Sequence, residues 1–195
     1  MSRSSRRRPV SAGLRRGRLS DLDDLIAIEN EVFTVDLLSR RSFRHFLTSR
    51  NAAVIVAEES GKLAGYALVL YRPRSRVARL YSIAVGRHIG KRGVGPLLLA
   101  AAEDNARHHR CRSMRLEVHD HNTRAIARYE KSGYFLFGRR LDYYDDHATA
   151  LRFEKPLTVE TRRGRTGPAK KSGSHARIGF DGGQRGRNGR HSARF

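Results

Sequence analysis

Apolar positions near the start of the chain recur with helical spacing. Residues 21–33 carry apolar side chains three and four positions apart and three aspartates near their start, which predicts an amphipathic helix. Ser20 is predicted as the N-cap of this helix. A second helix is predicted to begin at Ser39 and to bury three apolar side chains, Phe43, Phe46 and Leu47.

The pattern then changes to short β-rich runs separated by turn residues. Strands are predicted at 53–58, 63–71 and 77–85. No helical pattern lies between these runs, so they are expected to form an antiparallel meander.

Helical and extended segments alternate in the second half of the predicted domain. A glycine-rich loop at 86–95 is followed by four predicted elements: a helix at 96–109, a strand at 113–118, a helix at 122–132 and a strand pair at 135–140 and 148–154. With a short strand near 14–18, the predicted order is βααβββαβαββ. This order predicts an α/β fold with a mixed sheet.

Charge is concentrated at the two ends of the chain. The formal net charge is +21, of which residues 1–18 contribute +7 and residues 158–195 contribute +8, leaving +6 for residues 19–157. Large apolar residues are scarce after Pro156, so the tail cannot offset the entropy of ordering it. The predicted organisation is a basic disordered arm at 1–12, one domain at 13–157 and a basic Gly/Arg-rich disordered tail at 158–195.

Several protein classes are disfavoured by the same composition. There is no run of 18 apolar residues, so neither a membrane span nor a membrane partner is expected. The basic start lacks the apolar stretch of a secretory signal. Cys111 is the only cysteine, so no internal disulfide can form. A cytoplasmic location is the expectation.

The glycine-rich loop is the first candidate binding feature. Its sequence is Gly90-Lys91-Arg92-Gly93-Val94-Gly95-Pro96, between a predicted strand and a predicted helix. Free N–H groups at a helix N-terminus suit a pyrophosphate. The G-x-x-G-x-G spacing differs from the dinucleotide-binding motif, and the Ser or Thr of a P-loop is absent. A flexible loop that binds nothing remains the alternative interpretation.

A longer set of residues resembles the GNAT acetyltransferase superfamily. An apolar strand at 83–85 precedes Gly93-Val94-Gly95, as in the family's Q/R-x-x-G-x-G/A motif. A second set resembles the ribosomal-protein alanine N-acetyltransferases (the RimI group): Leu116-Glu117-Val118, Asn122, Ala125-Ile126-Ala127, Tyr129-Glu130, Gly133-Tyr134 and Tyr143-Tyr144. The resemblance covers about residues 12–156.

The resemblance implies acetyl-CoA as co-substrate and a set of residues that contact it. The pantetheine arm would lie along Ile83, Ala84 and Val85, and Asn122 would also contact the cofactor. The loop amides would bind the pyrophosphate, which implies Lys91, Arg92, Gly93, Val94, Gly95 and Pro96.

The resemblance also implies Glu117 as the general base and Tyr129, twelve residues later, as the general acid. Taken singly, Glu117 also fits a solvent-facing strand position, Tyr129 a core position and Asn122 an N-cap. The chain departs from the family at Gly90, where Gln or Arg is usual. Residues 34–39 replace the Pro-Trp-Ser that the group often carries.

Two histidine groups are candidates for metal ligands. His108-His109 with Cys111, and His119 with His121, lack the spacing of zinc sites, so no metal is expected. His119 and His121 are candidates for the mouth of the acceptor site. Tyr143 and Tyr144 fit either the core or the wall of an acceptor pocket.

Three functions are compatible with these residues. The first is acetyl transfer to the N-terminal α-amine of a protein, by direct attack on acetyl-CoA. The second is acetyl transfer to a Lys side chain or a small-molecule amine. The third is a non-catalytic basic module that binds RNA or ribosomes through phosphates. The basic ends alone could also bring an enzyme to ribosomes or RNA, or merely be solvated.

Overall fold

The computed structural model describes residues 12–89, 93–144 and 147–157. The strands are β1 (Gly13–Arg16), β2 (Ala52–Glu59), β3 (Lys62–Leu70), β4 (Val77–Val85), β5 (Ser113–His119), β6 (Phe135–Arg140) and β7 (Ala150–Pro156). The helices are α1 (Leu22–Val32), α2 (Arg40–Thr48), α3 (Val94–His108) and α4 (Thr123–Lys131). The predicted order βααβββαβαββ is confirmed.

All seven strands join in a single mixed sheet, with the order β1-β2-β3-β4-β5-β7-β6. The pairs β2–β3 and β3–β4 are antiparallel, which confirms the predicted meander. The pair β4–β5 is parallel, and β5 and β6 pair antiparallel with β7. The sheet therefore consists of an antiparallel half and a smaller half that meet between β4 and β5.

The two halves separate at one end. Strands β4 and β5 pair at only three positions, the last of them Arg79 opposite Arg115. Two residues further on, the β3–β4 register skips Tyr81, because Val69 pairs with Leu80 and Leu68 with Ser82. Such a bulge bends a strand and increases its twist. The carboxyl end of β4 thereby diverges from β5 and leaves an opening in the sheet.

Helices cover the sheet on both faces. Helices α1 and α2 pack on the antiparallel half on one face, where Leu25 and Phe43 are fully buried. Helix α3 packs on the opposite face around Leu98, and α4 joins that layer through Ala125 and Tyr129. On the face of α1 and α2, the strands β5, β7 and β6 carry charged residues such as Arg115 and Arg152.

The start of α1 differs from the prediction. Ser20 is not its N-cap, because a 3-10 turn at Leu19–Asp21 precedes the helix and makes Asp21 the N-cap. The carboxylate of Asp21 instead binds the guanidinium of Arg15. In α2, Ser39 is the N-cap, and its side chain accepts a hydrogen bond from the Ser42 amide. Phe43 is buried as predicted, whereas Phe46 and Leu47 are only half-buried.

The basic arm and the basic tail, predicted at 1–12 and 158–195, lie outside the described residues apart from Ala12. Within the described residues, no helix has the length and apolar character needed to cross a membrane.

Candidate functional site

A cleft of about 670 Å³ opens where β4, the start of α3 and the start of α4 converge. It brings together six of the residues that the sequence singled out for cofactor binding: Val85, Gly93, Val94, Gly95, Pro96 and Asn122. Val32, Gly86, Arg87, Arg124, Ala125 and Arg128 complete its wall. Its volume falls within the range typical of small-molecule sites.

The N-terminus of α3 forms one wall of this cleft. Gly93 is its N-cap and has a φ of +85°, a left-handed conformation that glycine adopts without steric cost. The amides of Val94 and Gly95 are in the first turn, where no helical acceptor is available for them. Pro96 completes this turn, and it has no N–H to leave unsatisfied. Together with the positive end of the helix dipole, these amides make an anion site.

Helix α4 adds positive charge on the opposite wall. Arg124 and Arg128 are one helical turn apart and both line the cleft. The pKa of Arg128 is lowered, first by burial and then by the charge of Arg124. A polyanion between the two guanidiniums would relieve this repulsion. The sequence did not lead to these arginines as site residues, although their i, i+4 spacing behind the N-cap Asn122 was a signal that could have found them.

Two other residues predicted to contact the cofactor, Ile83 and Ala84, do not line the cleft. Ile83 and Ala84 are fully buried in the cores on opposite faces of the sheet, and both pair with β3. Only their backbone groups on the β5 side can face the opening between the strands. Lys91 and Arg92 lie outside the described residues.

Glu117 lies inside a charged cluster on the face of the sheet that carries α1 and α2. It is only 7% exposed. Its Oε2 accepts a 3.0 Å hydrogen bond from Arg79 Nε, and its Oε1 lies 3.8 Å from Arg152 Nε. Arg79 also donates a 2.8 Å hydrogen bond to the Tyr143 hydroxyl. Burial lowers the pKa of Arg79, but Glu117 and Tyr143 outweigh it and raise that pKa above its usual value.

Tyr129 is fully buried among the aromatic residues of the opposite face. Its ring packs edge-on against Tyr134 and is tilted against Phe153. Burial raises the pKa of its phenol well above 10, the charge of Arg128 opposes this shift, and Tyr144 adds to it. Glu117 and Tyr129 therefore lie on opposite faces of the sheet, and neither of them lines the cleft.

A second hollow, of about 430 Å³, adjoins the cleft and shares Val32 and Asn122 with it. Its walls come from the segment after α1 and from the end of β5: Phe33, Thr34, Val35, Asp36, Val118, His119, His121 and Tyr144. The candidates for the acceptor mouth, His119 and His121, are therefore part of one hollow. Tyr144 lines it as well, with its ring 4.9 Å from that of His119, whereas Tyr143 is buried.

His119, Asp120 and His121 also form a group whose ligand atoms lie within 4.8 Å of one another. The Nδ1 atoms of His119 and His121 are 3.4 and 3.2 Å from an Asp120 oxygen. The His119 Nδ1 also accepts a hydrogen bond from the His121 amide. The turn thus presents three candidate ligand atoms together, although the sequence spacing did not indicate a zinc site there.

Residues 22–134 match the Acetyltransferase (GNAT) family, and this span is more than half of the chain. The chain belongs to the GNAT acetyltransferase family. Both the cleft and the second hollow lie mainly within the matched span, and the mixed sheet with four helices is the GNAT fold. The protein is accordingly an acetyltransferase of a family that uses acetyl-CoA as acyl donor.

Individual GNAT proteins show the same similarity. The putative ribosomal protein bS18-alanine N-acetyltransferase of Bacillus subtilis is 29% identical over 138 residues, which cover 71% of this chain and 90% of that protein. The mycothiol acetyltransferase of Acidimicrobium ferrooxidans is 35% identical over 88 residues, which cover 44% of this chain and only 28% of that protein.

A solved GNAT structure has the same fold. The ribosomal-protein-S18-alanine N-acetyltransferase of Escherichia coli superimposes with a TM-score of 0.69 and 23% identity, covering 80% of this chain and 99% of that one.

Proposed function

We propose that this GNAT protein transfers the acetyl group of acetyl-CoA to the N-terminal α-amine of a protein. The observation that carries the proposal is the meeting of two hollows at Asn122, just past the end of β5. One hollow is basic and large enough for part of a nucleotide, and the other opens on the face of α1 and α2. A thioester at their junction would be open to attack from the second hollow.

Acetyl-CoA would be held by its diphosphate and by its pantetheine arm. The amides of Val94 and Gly95 would bind the diphosphate, with Arg124 and Arg128 facing it across the cleft. The pantetheine amides would pair with the backbone of Ile83–Val85, since β4 has separated from β5 at this point. This role for Ile83 and Ala84 requires only their main chain, which agrees with their buried side chains.

Glu117 would act as the general base for the attacking amine. It lies two residues before His119 on the same face of β5, so its carboxylate is on the side of the second hollow. Because Glu117 does not line that hollow, the proton would travel through a hydrogen-bonded bridge such as water. The charge-assisted hydrogen bond from Arg79 holds the carboxylate in one orientation.

Tyr129 would act as the general acid. As the amine adds to the thioester carbonyl, the carbon–sulfur bond breaks, coenzyme A leaves as a thiolate, and the phenol protonates the sulfur. The raised pKa of Tyr129 keeps this proton in place at neutral pH. The amine attacks directly, so no covalent enzyme intermediate forms.

The chemistry of the acceptor favours an α-amine. A free α-amine has a pKa near 8 and is about one-tenth neutral at pH 7, whereas about one Lys side chain in 2,500 is neutral. Because Glu117 would act through a hydrogen-bonded bridge such as water, it is better suited to deprotonate an α-amine than a Lys side chain. The bS18-alanine N-acetyltransferase relative, matched over most of its length, has a protein acceptor in its name.

Two peptides of identical sequence test this proposal, each with one internal Lys and differing only in a free or blocked N-terminus. We expect acetylation of the free peptide, with the acetyl group on its first residue when the product is sequenced by mass spectrometry. Transfer to the blocked peptide would instead support a Lys acceptor, and transfer only to small amines would support the second function. If no acetyl-CoA is hydrolysed and no acetyl group is transferred to any of these acceptors, the result would support the non-catalytic RNA-binding module.

We further propose that residues 13–157 are the catalytic unit and that the basic ends contact RNA or ribosomes. The support is the distribution of charge, since +15 of the net +21 lies outside residues 19–157.

A further inference from the structure

Glu29 is a fully buried acidic residue in α1 that the proposed chemistry does not use. Its backbone carbonyl accepts a 2.9 Å hydrogen bond from the Phe33 amide, at the end of α1. Its side-chain Oε1 accepts a 2.7 Å hydrogen bond from the Leu38 amide. One residue thereby holds both ends of the segment 33–38, which we call the acceptor loop.

The other carboxylate oxygen of Glu29 connects the acceptor loop to the sheet. The Tyr66 hydroxyl of β3 lies within hydrogen-bonding distance of Oε2 and is 2.9 Å from the Ser82 hydroxyl of β4. Ser82 directly follows the bulge at Tyr81, where β4 begins to diverge from β5. The carboxylate is thus fixed relative to the strand on which the proposed pantetheine site lies.

The acceptor loop forms one wall of the second hollow. Residues 33–36 line this hollow opposite His119 and Tyr144, whereas Leu38 is buried beside Phe43. The way in which the two ends of the loop are held therefore contributes to the position of this wall. A buried carboxylate is costly unless its hydrogen bonds are satisfied, and a satisfied buried network favours one arrangement.

We infer that Glu29 is a positioning residue that sets the acceptor loop for binding of the acceptor amine. The inference rests on the proposed function, because it assigns the second hollow to the acceptor. Removing the carboxylate should release the Leu38 end of the loop, whereas the main-chain pairing with β3 should keep the β4 wall of the CoA cleft in place. The expected result is a defect in acceptor KM, with CoA affinity preserved.

The test compares Glu29→Ala with Glu29→Gln, which keeps an oxygen for the Leu38 amide. Glu29→Ala should raise the acceptor KM at least about tenfold, change kcat less than threefold and change the CoA Kd less than twofold. Glu29→Gln should have an acceptor KM close to that of the wild-type protein. Leu157→Ala is the control, because it removes a buried side chain directly after β7 that belongs to the core on the opposite face of the sheet from Leu38. It should lower Tm without changing KM.

If Glu29→Ala does not fold, Glu29→Asp is the second test variant. The Asp side chain is shorter than that of Glu, so it cannot reach the Leu38 amide at the same distance. An unchanged KM in a folded Asp or Ala variant would overturn the inference, as would equal losses of acceptor and CoA binding. Hydrogen exchange at the Leu38 amide provides a readout that needs no turnover. Faster exchange in the Ala variant is expected even if the wild-type protein acetylates no peptide. Lack of peptide acetylation would contradict only the proposed function, not the role of Glu29 in holding the loop.

Discussion

The surroundings of Glu117 come from residues distant in sequence. Arg79, which binds it, is 38 positions away, and Tyr143, which binds Arg79, is 64 positions from that arginine. The L-E-V and tyrosine spacing was enough to select Glu117 and Tyr129 from the sequence. It could not indicate that Glu117 is buried in an ion pair, because the partners meet only after β4, β5 and the segment after β6 have come together.

Replacing the carboxylate of Glu117 tests its role as base. Glu117→Gln keeps the size of the side chain and removes its basicity, so we expect kcat to fall about 100-fold, within the range for one proton transfer. The CoA Kd, measured by calorimetry, should change less than twofold. The control is Glu154→Gln, which removes a partner of Arg115 on the same face of the sheet. A Glu117 variant as active as this control would rule out the general-base role.

Tyr129 gives a prediction about pH. Its raised pKa means that the phenol keeps its proton below pH 10, so its ionisation does not limit turnover there. Tyr129→Phe should lower kcat at least about tenfold at every pH from 6 to 9, without moving the pH at which activity is half-maximal. Tyr134→Phe is the control, since that buried hydroxyl donates to Met114 Sδ. A loss that disappears at either end of the pH range would argue against the assignment.

At the level of secondary structure, the proposed anion site lies where the starts of α3 and α4 come together. The sequence predicted a helix from 96, two residues after the observed start at Val94, and Pro96 lies in the first helical turn as predicted. The contribution of α4 was missed, because the i, i+4 spacing of Arg124 and Arg128 gains meaning only when the fold brings the start of α4 beside the start of α3. Gly65 illustrates the same limit: a Cβ there would lie 2.4 Å from the Ala84 carbonyl oxygen, a constraint visible only in the packed sheet.

The conformation of Gly93 allows a test of this element. Gly93→Ala places a Cβ on a residue with φ of +85°, at a cost of about 1–2 kcal/mol. If binding requires that conformation, the CoA Kd should rise about tenfold. Gly61→Ala is a matched control, with φ of +76° in a turn where an added Cβ meets nothing within 4 Å. Equal CoA affinities for the two variants would contradict the assignment of the α3 N-terminus.

At the scale of the whole molecule, a modestly charged domain lies between strongly basic ends. The order of helices and strands and the mixed α/β class followed from the sequence because the hydrophobic period changes clearly at each element. The identity of the acceptor could not be predicted from the sequence. In the proposed function it depends on the walls of the second hollow, which come from three separated segments.

The basic ends can be tested by comparing the full chain with residues 13–157. RNA binding by the full chain should weaken steeply between about 50 and 200 mM salt, since each phosphate contact releases counterions. The shorter chain should bind RNA at least about tenfold more weakly at the lower salt concentration and acetylate a free peptide equally well. The measurement is a fluorescence anisotropy titration at several salt concentrations. Equal, weak binding by both chains would remove the role proposed for the ends.

All of the proposed chemistry requires that the cleft between α3 and α4 binds CoA, which calorimetric titration of CoA measures. One CoA should bind per wild-type chain, and the Arg124→Ala/Arg128→Ala double variant should bind at least about tenfold more weakly. Arg44→Ala, on the exposed face of α2, should bind like wild type. Absence of CoA binding to the wild-type chain, or equal binding by the double variant, would contradict the account.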